Sequence, residues 1–223
     1  MKLKAALAAG VLALVAVTAA PSMAEGTFNA PVATRQASET GTRTAIFAGG
    51  CFWGIEAIFS HTRGVSSVVS GYHGGSAEDA HYRTVGSGST GHAEAVLVTY
   101  DPSVVRYDQL LQILFSVGAD PTQLNRQGPD RGTQYRSAIV PMSAEQRAVA
   151  TAYLAQMRRS GVWDDPIVVA IENHQRFYPA EDYHQDFLLH NPDNPYIVRW
   201  DAPKVAALRT MFPRLWRATY RPG

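Results

Sequence analysis

The chain has a single cysteine, Cys51, and its surroundings constrain the fold more than any other feature. The apolar run Thr44 to Ala48 and two glycines precede it, and an amphipathic stretch from Phe52 to His61 follows. This order predicts a strand, a tight glycine turn and a helix, with Cys51 at the turn. Because a helix N-terminus offers unpaired N–H groups and partial positive charge, we expect the thiolate form to be favoured there.

A lone cysteine is most often a small buried hydrophobic residue, and this alternative applies to Cys51. The pair Gly49 and Gly50 argues against it, because two glycines allow the backbone to approach another group closely. Two aromatic residues, Phe52 and Trp53, stand directly beside the sulfur. Together these features suit a nucleophile that meets an apolar or sulfur-containing substrate.

Residues 1–24 have the features of a secretory signal peptide. Lys2 and Lys4 are followed by an uncharged apolar run over 5–20 and by the small-x-small site Ser22-Met23-Ala24. An uncleaved anchor is the alternative, but the run is shorter than the roughly 20 residues that span a membrane. We therefore expect cleavage, a periplasmic or secreted protein, and no stable membrane insertion afterwards. A single thiol in an exported protein is either an intermolecular partner or reactive.

The chain has 223 residues, 46% hydrophobic content and a net charge of +1, which indicates one globular domain and gives no sign of nucleic-acid binding. Residues 25–41, rich in small residues, predict a flexible leader before a main domain over 42–223 with a C-terminal helical tail. Interleaved patterns predict a single two-layer α+β domain, with a mixed central sheet flanked by helices. Predicted strands cover 42–48, 65–72, 93–100, 135–140 and 167–171. Predicted helices cover 52–61, 107–117, 143–159 and about 201–212, and long loops, which are commonly functional, cover 74–91 and 118–134.

The chain carries five ordered motifs, namely Gly50 to Gly54, Gly71 to Gly75, Tyr82 to Val85 with Ser87 to Val96, Asp120 to Asp130 with Gly132 to Ser137, and Phe177 to Gln185. With these motifs it resembles the A-type peptide methionine sulfoxide reductases. The resemblance covers about Thr44 to Asn191. It implies reduction of methionine S-sulfoxide, free or in proteins, by a catalytic domain that uses no cofactor or metal.

Sulfoxide reduction needs a soft nucleophile and a proton for the departing oxygen. Cys51 can supply the first and Glu94 the second, since burial among apolar neighbours would raise the pKa of that carboxyl. From the strand pattern alone, an outward-facing Glu94 is the favoured alternative, whereas the resemblance implies the catalytic acid.

The remaining site residues follow from the resemblance. Phe52 and Trp53 resemble the apolar cage for the substrate methyl group, with core packing as the alternative. Tyr82 and Tyr135 resemble the two tyrosines that hydrogen-bond the sulfoxide oxygen. Asp130 resembles a carboxylate that orients the site, with loop capping as the alternative.

The chain departs from the family pattern in two ways. Its tail carries no resolving cysteine, and Gly86 stands where some members have one, so the chain resembles the single-cysteine subgroup. We therefore expect a sulfenic acid that an external thiol, a thioredoxin-like protein or a small thiol, must reduce. Ala119 also replaces the usual histidine, which nothing in the sequence explains.

Other functions have weaker support in the sequence. A zinc site lacks a second thiol and a His-x-x-x-His pair. Papain-like and caspase-like hydrolases lack their local cysteine signatures. A thiol acyltransferase would acylate Cys51, and a binding protein would hold oxidised methionine without releasing methionine.

Overall fold

The structure is a computed structural model that describes residues 27–222. The predicted signal peptide therefore lies outside the described residues. The strands are β1 (Arg43–Gly49), β2 (Val65–His73), β3 (Ala93–Tyr100), β4 (Arg126–Gln127), β5 (Asp130–Arg131), β6 (Ser137–Val140), β7 (Ala170–Ile171) and β8 (Phe177–Pro179). The α-helices are α1 (Phe52–Ser60), α2 (Tyr82–Val85), α3 (Tyr107–Ile113), α4 (Ala144–Arg159), α5 (Phe187–His190) and α6 (Ala202–Met211). Among the described helices, none has the length and apolar character needed to cross a membrane.

Six strands form one mixed sheet in the order β7-β6-β1-β3-β2-β8. β6 and β7 are parallel, and the other neighbouring pairs in this sheet are antiparallel. In the central strand β1, Phe47 lies opposite Val96 of β3 and Ile139 of β6. The predicted single α+β domain with a mixed central sheet is confirmed.

The side chains of β1 alternate between two apolar clusters, as the two-residue period of a strand requires. Ala45 and Phe47 belong to the large core, which also contains apolar residues of α1, α3 and α4. Ile46 and Ala48 belong to a small cluster on the opposite face. The helices thus cover mainly one face of the sheet, and β1 leads directly into α1.

Some predicted elements differ from the observed ones, because contacts with other parts of the chain replace the regular hydrogen-bond pattern of the strand or helix. The predicted strand over 167–171 keeps only β7, since the N–H of Val168 donates to the carbonyl of Pro121 in a loop. The helix predicted over 107–117 ends its α-helical part at Ile113 and continues as a π-helical turn, Leu114–Gly118. The start of α4 is confirmed by its cap at Ser143.

The described part of the predicted leader, residues 27–41, has no helix or strand, yet it lies against the domain. Ala30, Ala33 and Ala37 are buried, and the N–H of Ala37 donates to Oδ1 of Asp108 at 2.9 Å. We call this segment the N-terminal strap. The small side chains that suggested flexibility are the ones that allow close packing on the core.

Candidate active site

Cys51 lies between β1 and α1, at the N-cap position of the helix. Gly50 makes the turn with a φ of +91°, and a Cβ at this residue would lie 2.5 Å from Cβ of Gln127. Both the backbone angle and the close approach of a neighbouring loop therefore require glycine. Cys51 is 8% exposed, so its sulfur lies just below the surface. The predicted strand, glycine turn and helix are confirmed.

The thiol of Cys51 does not have the lowered pKa that its place at a helix N-terminus predicts. Burial, followed by the negative charges of Glu94 and Asp201, raises the pKa of Cys51 well above its ordinary value of 9.0. The N–H of Trp53 lowers this pKa, but by less. The expected thiolate is therefore wrong for this structure, because desolvation disfavours the charged form more than the first helical turn favours it.

Glu94 lies on β3 with its side chain buried, which excludes the outward-facing alternative. Its Oε2 accepts a hydrogen bond at 3.1 Å from the N–H of Phe52, the residue that follows Cys51. Burial raises the pKa of Glu94 to about 8, against the lowering effect of that hydrogen bond. The carboxyl therefore carries a proton near neutral pH, beside the thiol.

Tyr82 and Tyr135 lie in the two long loops, at the start of α2 and at the end of the 3₁₀ turn Thr133–Tyr135. Burial, followed by the charges of Glu94 and Cys51, raises the pKa of Tyr82 to about 12. Burial and then Glu94 also raise the pKa of Tyr135, and Cys51 contributes. The charges of Glu94 and Cys51 act on both phenols, so the structure brings these four groups to one site. Both phenols remain protonated hydrogen-bond donors there.

Phe52 and Trp53 begin α1 and belong to an aromatic cluster around His184. The ring centroids of Phe52 and Tyr82 lie 5.2 Å and 4.2 Å from that of His184. Nε1 of Trp53 donates to Nδ1 of His184 at 3.1 Å, and its indole stacks on Phe187 at 3.8 Å. His184 lies within the motif Phe177 to Gln185, but the sequence analysis gives it no role of its own. Its ring holds the predicted cage residues and Tyr82 together.

Asp130, on β5, accepts a short hydrogen bond from the hydroxyl of Tyr196 in the C-terminal tail. Burial raises the pKa of Asp130, and the donation from Tyr196 lowers it by less. Because its side chain pairs with the tail rather than with its own loop, the loop-capping alternative is disfavoured. Asp130 also contributes to the raised pKa of Cys51, which puts it within electrostatic reach of the sulfur.

A second carboxyl that sequence patterns do not identify, Asp201, lies fully buried against the first turn of α1. A Cβ on Gly54 would lie 2.2 Å from Oδ1 of Asp201, so only glycine leaves room for this carboxyl. Nζ of Lys204 lies 3.6 Å from the same oxygen. Burial raises the pKa of Asp201 to about 6, and Lys204 lowers it.

A cavity of about 650 Å³ opens beside Cys51 on the side of the C-terminal tail. We call it the tail groove. Its walls are the loop segment 120–130 and the tail between Tyr196 and Lys204. Of the predicted site residues, only Cys51 and Asp130 line it. The groove therefore reaches the sulfur separately from Glu94, the two tyrosines and the aromatic cluster.

The groups around Cys51 support one kind of reaction. A buried thiol, a carboxyl that holds a proton near neutrality and two phenols can attack a soft sulfur centre and protonate the oxygen it carries. This chemistry is that of a thiol-dependent oxidoreductase. Within residues 27–222, no group of three or more His, Cys, Asp or Glu side chains is arranged to hold a metal ion.

Comparison with known sequences identifies the family within that class. The sequence model of the family described as peptide methionine sulfoxide reductase matches residues 43–214. Such a reductase from Mesorhizobium japonicum is 57% identical over 176 residues, which cover 79% of this chain and 90% of that protein. Another from Synechocystis sp. is 51% identical over 172 residues, covering 77% and 80%. The chain belongs to the peptide methionine sulfoxide reductase family, A type, and is a peptide-methionine (S)-S-oxide reductase.

Solved structures agree with this assignment. The reduced form of Mxr1 from Saccharomyces cerevisiae is 32% identical, with a TM-score of 0.63 over 70% of this chain and 91% of that one. Methionine sulfoxide reductase A of Corynebacterium diphtheriae is also 32% identical, with a TM-score of 0.58 over 78% and 91%. The acyltransferase and the non-enzymatic binding protein are thereby set aside.

Proposed function

We propose that this enzyme reduces methionine S-sulfoxide, free or in oxidised proteins, with Cys51 as the nucleophile. The Cys51 sulfur forms a bond to the sulfoxide sulfur, and the sulfoxide oxygen then passes to Cys51 as a hydroxyl. The sulfoxide becomes the thioether of methionine, and the thiol becomes a sulfenic acid. The two electrons come from the cysteine sulfur, so no cofactor takes part.

Glu94 is the proposed proton donor to the sulfoxide oxygen. A carboxyl with a pKa of about 8 holds a proton at neutral pH and can give it to a stronger base in the transition state. The proton that Cys51 loses as its sulfur attacks returns to Glu94, so the protons balance over the step. Because the pKa of Cys51 is raised, Cys51 is a protonated thiol in the resting enzyme and loses its proton only during the attack.

The other predicted site residues position the substrate in this proposal. Tyr82 and Tyr135 donate hydrogen bonds to the sulfoxide oxygen, a role that their protonated phenols suit. Phe52 and Trp53 hold the methyl group, since aromatic faces attract sulfur and apolar groups. Asp130 orients the tail through Tyr196.

Turnover requires an external thiol, because Cys51 is the only cysteine in the chain. The reductant is a thioredoxin-like protein or a small thiol, which forms a mixed disulfide with Cys51 and is then displaced by a second thiol.

We propose that the enzyme is exported and repairs oxidised exported proteins, on the basis of the signal-peptide pattern in residues 1–24. Mass spectrometry of the cell-envelope fraction should find a mature chain beginning at Glu25, and an intact N-terminus in a cytoplasmic fraction would contradict export.

The hydrogen bond from the N–H of Phe52 to Glu94 carries the proposed mechanism, because it fixes a proton-bearing carboxyl one peptide unit from the nucleophile. The test mixes the enzyme with methionine S-sulfoxide and no reductant, then measures free methionine and the mass of the Cys51 peptide. We expect one methionine per chain and one added oxygen at Cys51, trapped by dimedone. The R-sulfoxide is the matched control and should give neither product. Methionine release without oxygen at Cys51 would contradict the mechanism.

A further inference from the structure

The tail groove offers a second approach to the Cys51 sulfur. The groups proposed to hold the sulfoxide oxygen, Glu94, Tyr82 and Tyr135, do not line this groove, whereas Cys51 does. A reactant in the groove can therefore reach the sulfur without displacing those groups. Attack on a sulfenic acid needs such access, because the incoming sulfur forms its bond while the oxygen leaves.

Cationic side chains lie on both walls of the groove. Arg126 stands on the loop wall, and Arg199 and Lys204 stand on the tail wall. Within residues 27–222, neither Arg126 nor Arg199 forms an ion pair with a carboxylate. Nε of Arg126 donates to Oε1 of Gln123 at 3.1 Å, and the guanidinium of Arg199 lies 4.9 Å from the ring centroid of Trp200. Both guanidinium groups therefore keep donors for an anion.

Acidic residues in the groove are already occupied. Oδ1 of Asp120 accepts hydrogen bonds from the N–H and hydroxyl of Thr122, and its Oδ2 accepts one from Gln123. Asp130 is bonded to Tyr196. Their oxygens are thus bonded to neutral donors, and within residues 27–222 Arg126 and Arg199 are the groove-lining cations that have no carboxylate partner.

We propose that the tail groove binds the external thiol that reduces Cys51, and that it selects a small thiol bearing a carboxylate. This inference rests on the proposed function. The groove volume lies within the roughly 300–1,000 Å³ of small-molecule sites. Cys51 is only 8% exposed and lies between two walls, which also favours a small thiol over a protein surface.

Reduction of the sulfenic acid in the groove takes two successive reactions with thiols. The thiol sulfur forms a bond to the Cys51 sulfur, the Cys51 sulfur–oxygen bond breaks, and the oxygen leaves as water with the thiol proton. A second thiol then forms a disulfide with the first, and Cys51 regains its proton. Two thiols are oxidised to one disulfide for each sulfenic acid reduced. The carboxylate of the first thiol lies against Arg126 or Arg199 during its attack.

The test compares mercaptopropionate, which bears a carboxylate, with neutral mercaptoethanol. The sulfenic acid is prepared in one turnover with uncharged N-acetylmethionine sulfoxide amide, and its reduction is followed by loss of dimedone reactivity. Rates are expressed per thiolate to remove differences in thiol pKa. At low salt we expect mercaptopropionate to react about tenfold faster, an advantage that falls at high salt. The double variant Arg126→Gln/Arg199→Gln should lose the advantage of mercaptopropionate and keep the native rate with mercaptoethanol. The control variant Arg158→Gln, which changes an exposed residue on α4, should keep the advantage of mercaptopropionate.

Three outcomes overturn the proposal. The first is an equal rate for the two thiols in the native enzyme, and the second is a preference that survives the double variant. The third is a double variant that slows methionine release from acidic peptides but leaves the rates with both thiols unchanged. That result would mean that the groove binds the residues next to methionine sulfoxide in a peptide substrate. Absence of methionine release would refute the proposed function instead. Cys51 could then be oxidised by hydrogen peroxide and the groove still tested.

Discussion

Replacing Glu94 by glutamine should change how stability depends on pH. The glutamine can still accept the hydrogen bond from the N–H of Phe52, but it cannot titrate. In the native enzyme, burial raises the pKa of Glu94 from 4.5 to about 8. Between these values the folded state holds a proton that the unfolded chain has lost, so native stability falls as pH rises.

The size of the effect follows from the shift in pKa. Each unit of difference corresponds to about 1.4 kcal/mol, so the interval from 4.5 to about 8 corresponds to about 5 kcal/mol. The Glu94→Gln variant should therefore gain stability over the native enzyme by up to this amount between pH 4.5 and pH 8. Glu56, whose pKa burial also raises to about 8, is present in both proteins and cancels in the difference.

Urea unfolding of both proteins at pH values from 5 to 8 measures the difference directly. The expected result is a difference that grows steadily in favour of Glu94→Gln as pH rises. Glu56→Gln is a matched control, because it removes another buried carboxyl whose pKa is raised to about 8 and leaves Glu94 in place. A difference between Glu94→Gln and the native enzyme that is constant over this range would refute the argument, since it would mean that Glu94 is ionised throughout.

Three further changes test the site. Cys51→Ser should abolish methionine release, because a hydroxyl is a far poorer nucleophile toward sulfur, and release at the native rate would refute the mechanism. Glu94→Gln should slow single-turnover methionine release by about 10²–10⁴-fold with little change in substrate affinity, and an unchanged rate and pH profile would remove Glu94 from catalysis. Gly54→Ala should cost about 1–3 kcal/mol of unfolding free energy, because its Cβ meets the carboxyl of Asp201. That cost should largely disappear in an Asp201→Ala background, and a cost that persists would locate the strain elsewhere.

The sequence predicts the segment around Cys51 well because its structure is decided locally. The strand, the glycine turn and the helix all lie within Arg43–Ser60, so the patterns that indicate them are contiguous in the sequence. The same holds for α4, whose first turn is capped by Ser143. The strand predicted over 167–171 is longer than β7, because β-branched composition does not reveal that the N–H of Val168 bonds to a loop carbonyl instead of a neighbouring strand.

The electrostatics of the site could not be predicted in this way. The low pKa expected for Cys51 depends only on the position of the thiol at the start of its own helix. Burial, Glu94 and Asp201 raise that pKa, and all three effects arise from the tertiary fold. His184 lies 131 residues from Trp53, its hydrogen-bond partner. The sequence therefore identifies which residues are chemically competent, and tertiary packing sets their protonation.

The long-range contacts of the N-terminal strap lead us to expect that it docks late in folding. The N–H of Thr34 donates to Oε1 of Gln156 across 122 residues at 2.9 Å, and the hydroxyl of Tyr153 donates to the carbonyl of Pro31 at the same distance. Closing a chain loop of that length costs about 4 kcal/mol of entropy, so these contacts become favourable only once α4 is in place. The segment synthesised first is thus expected to dock last.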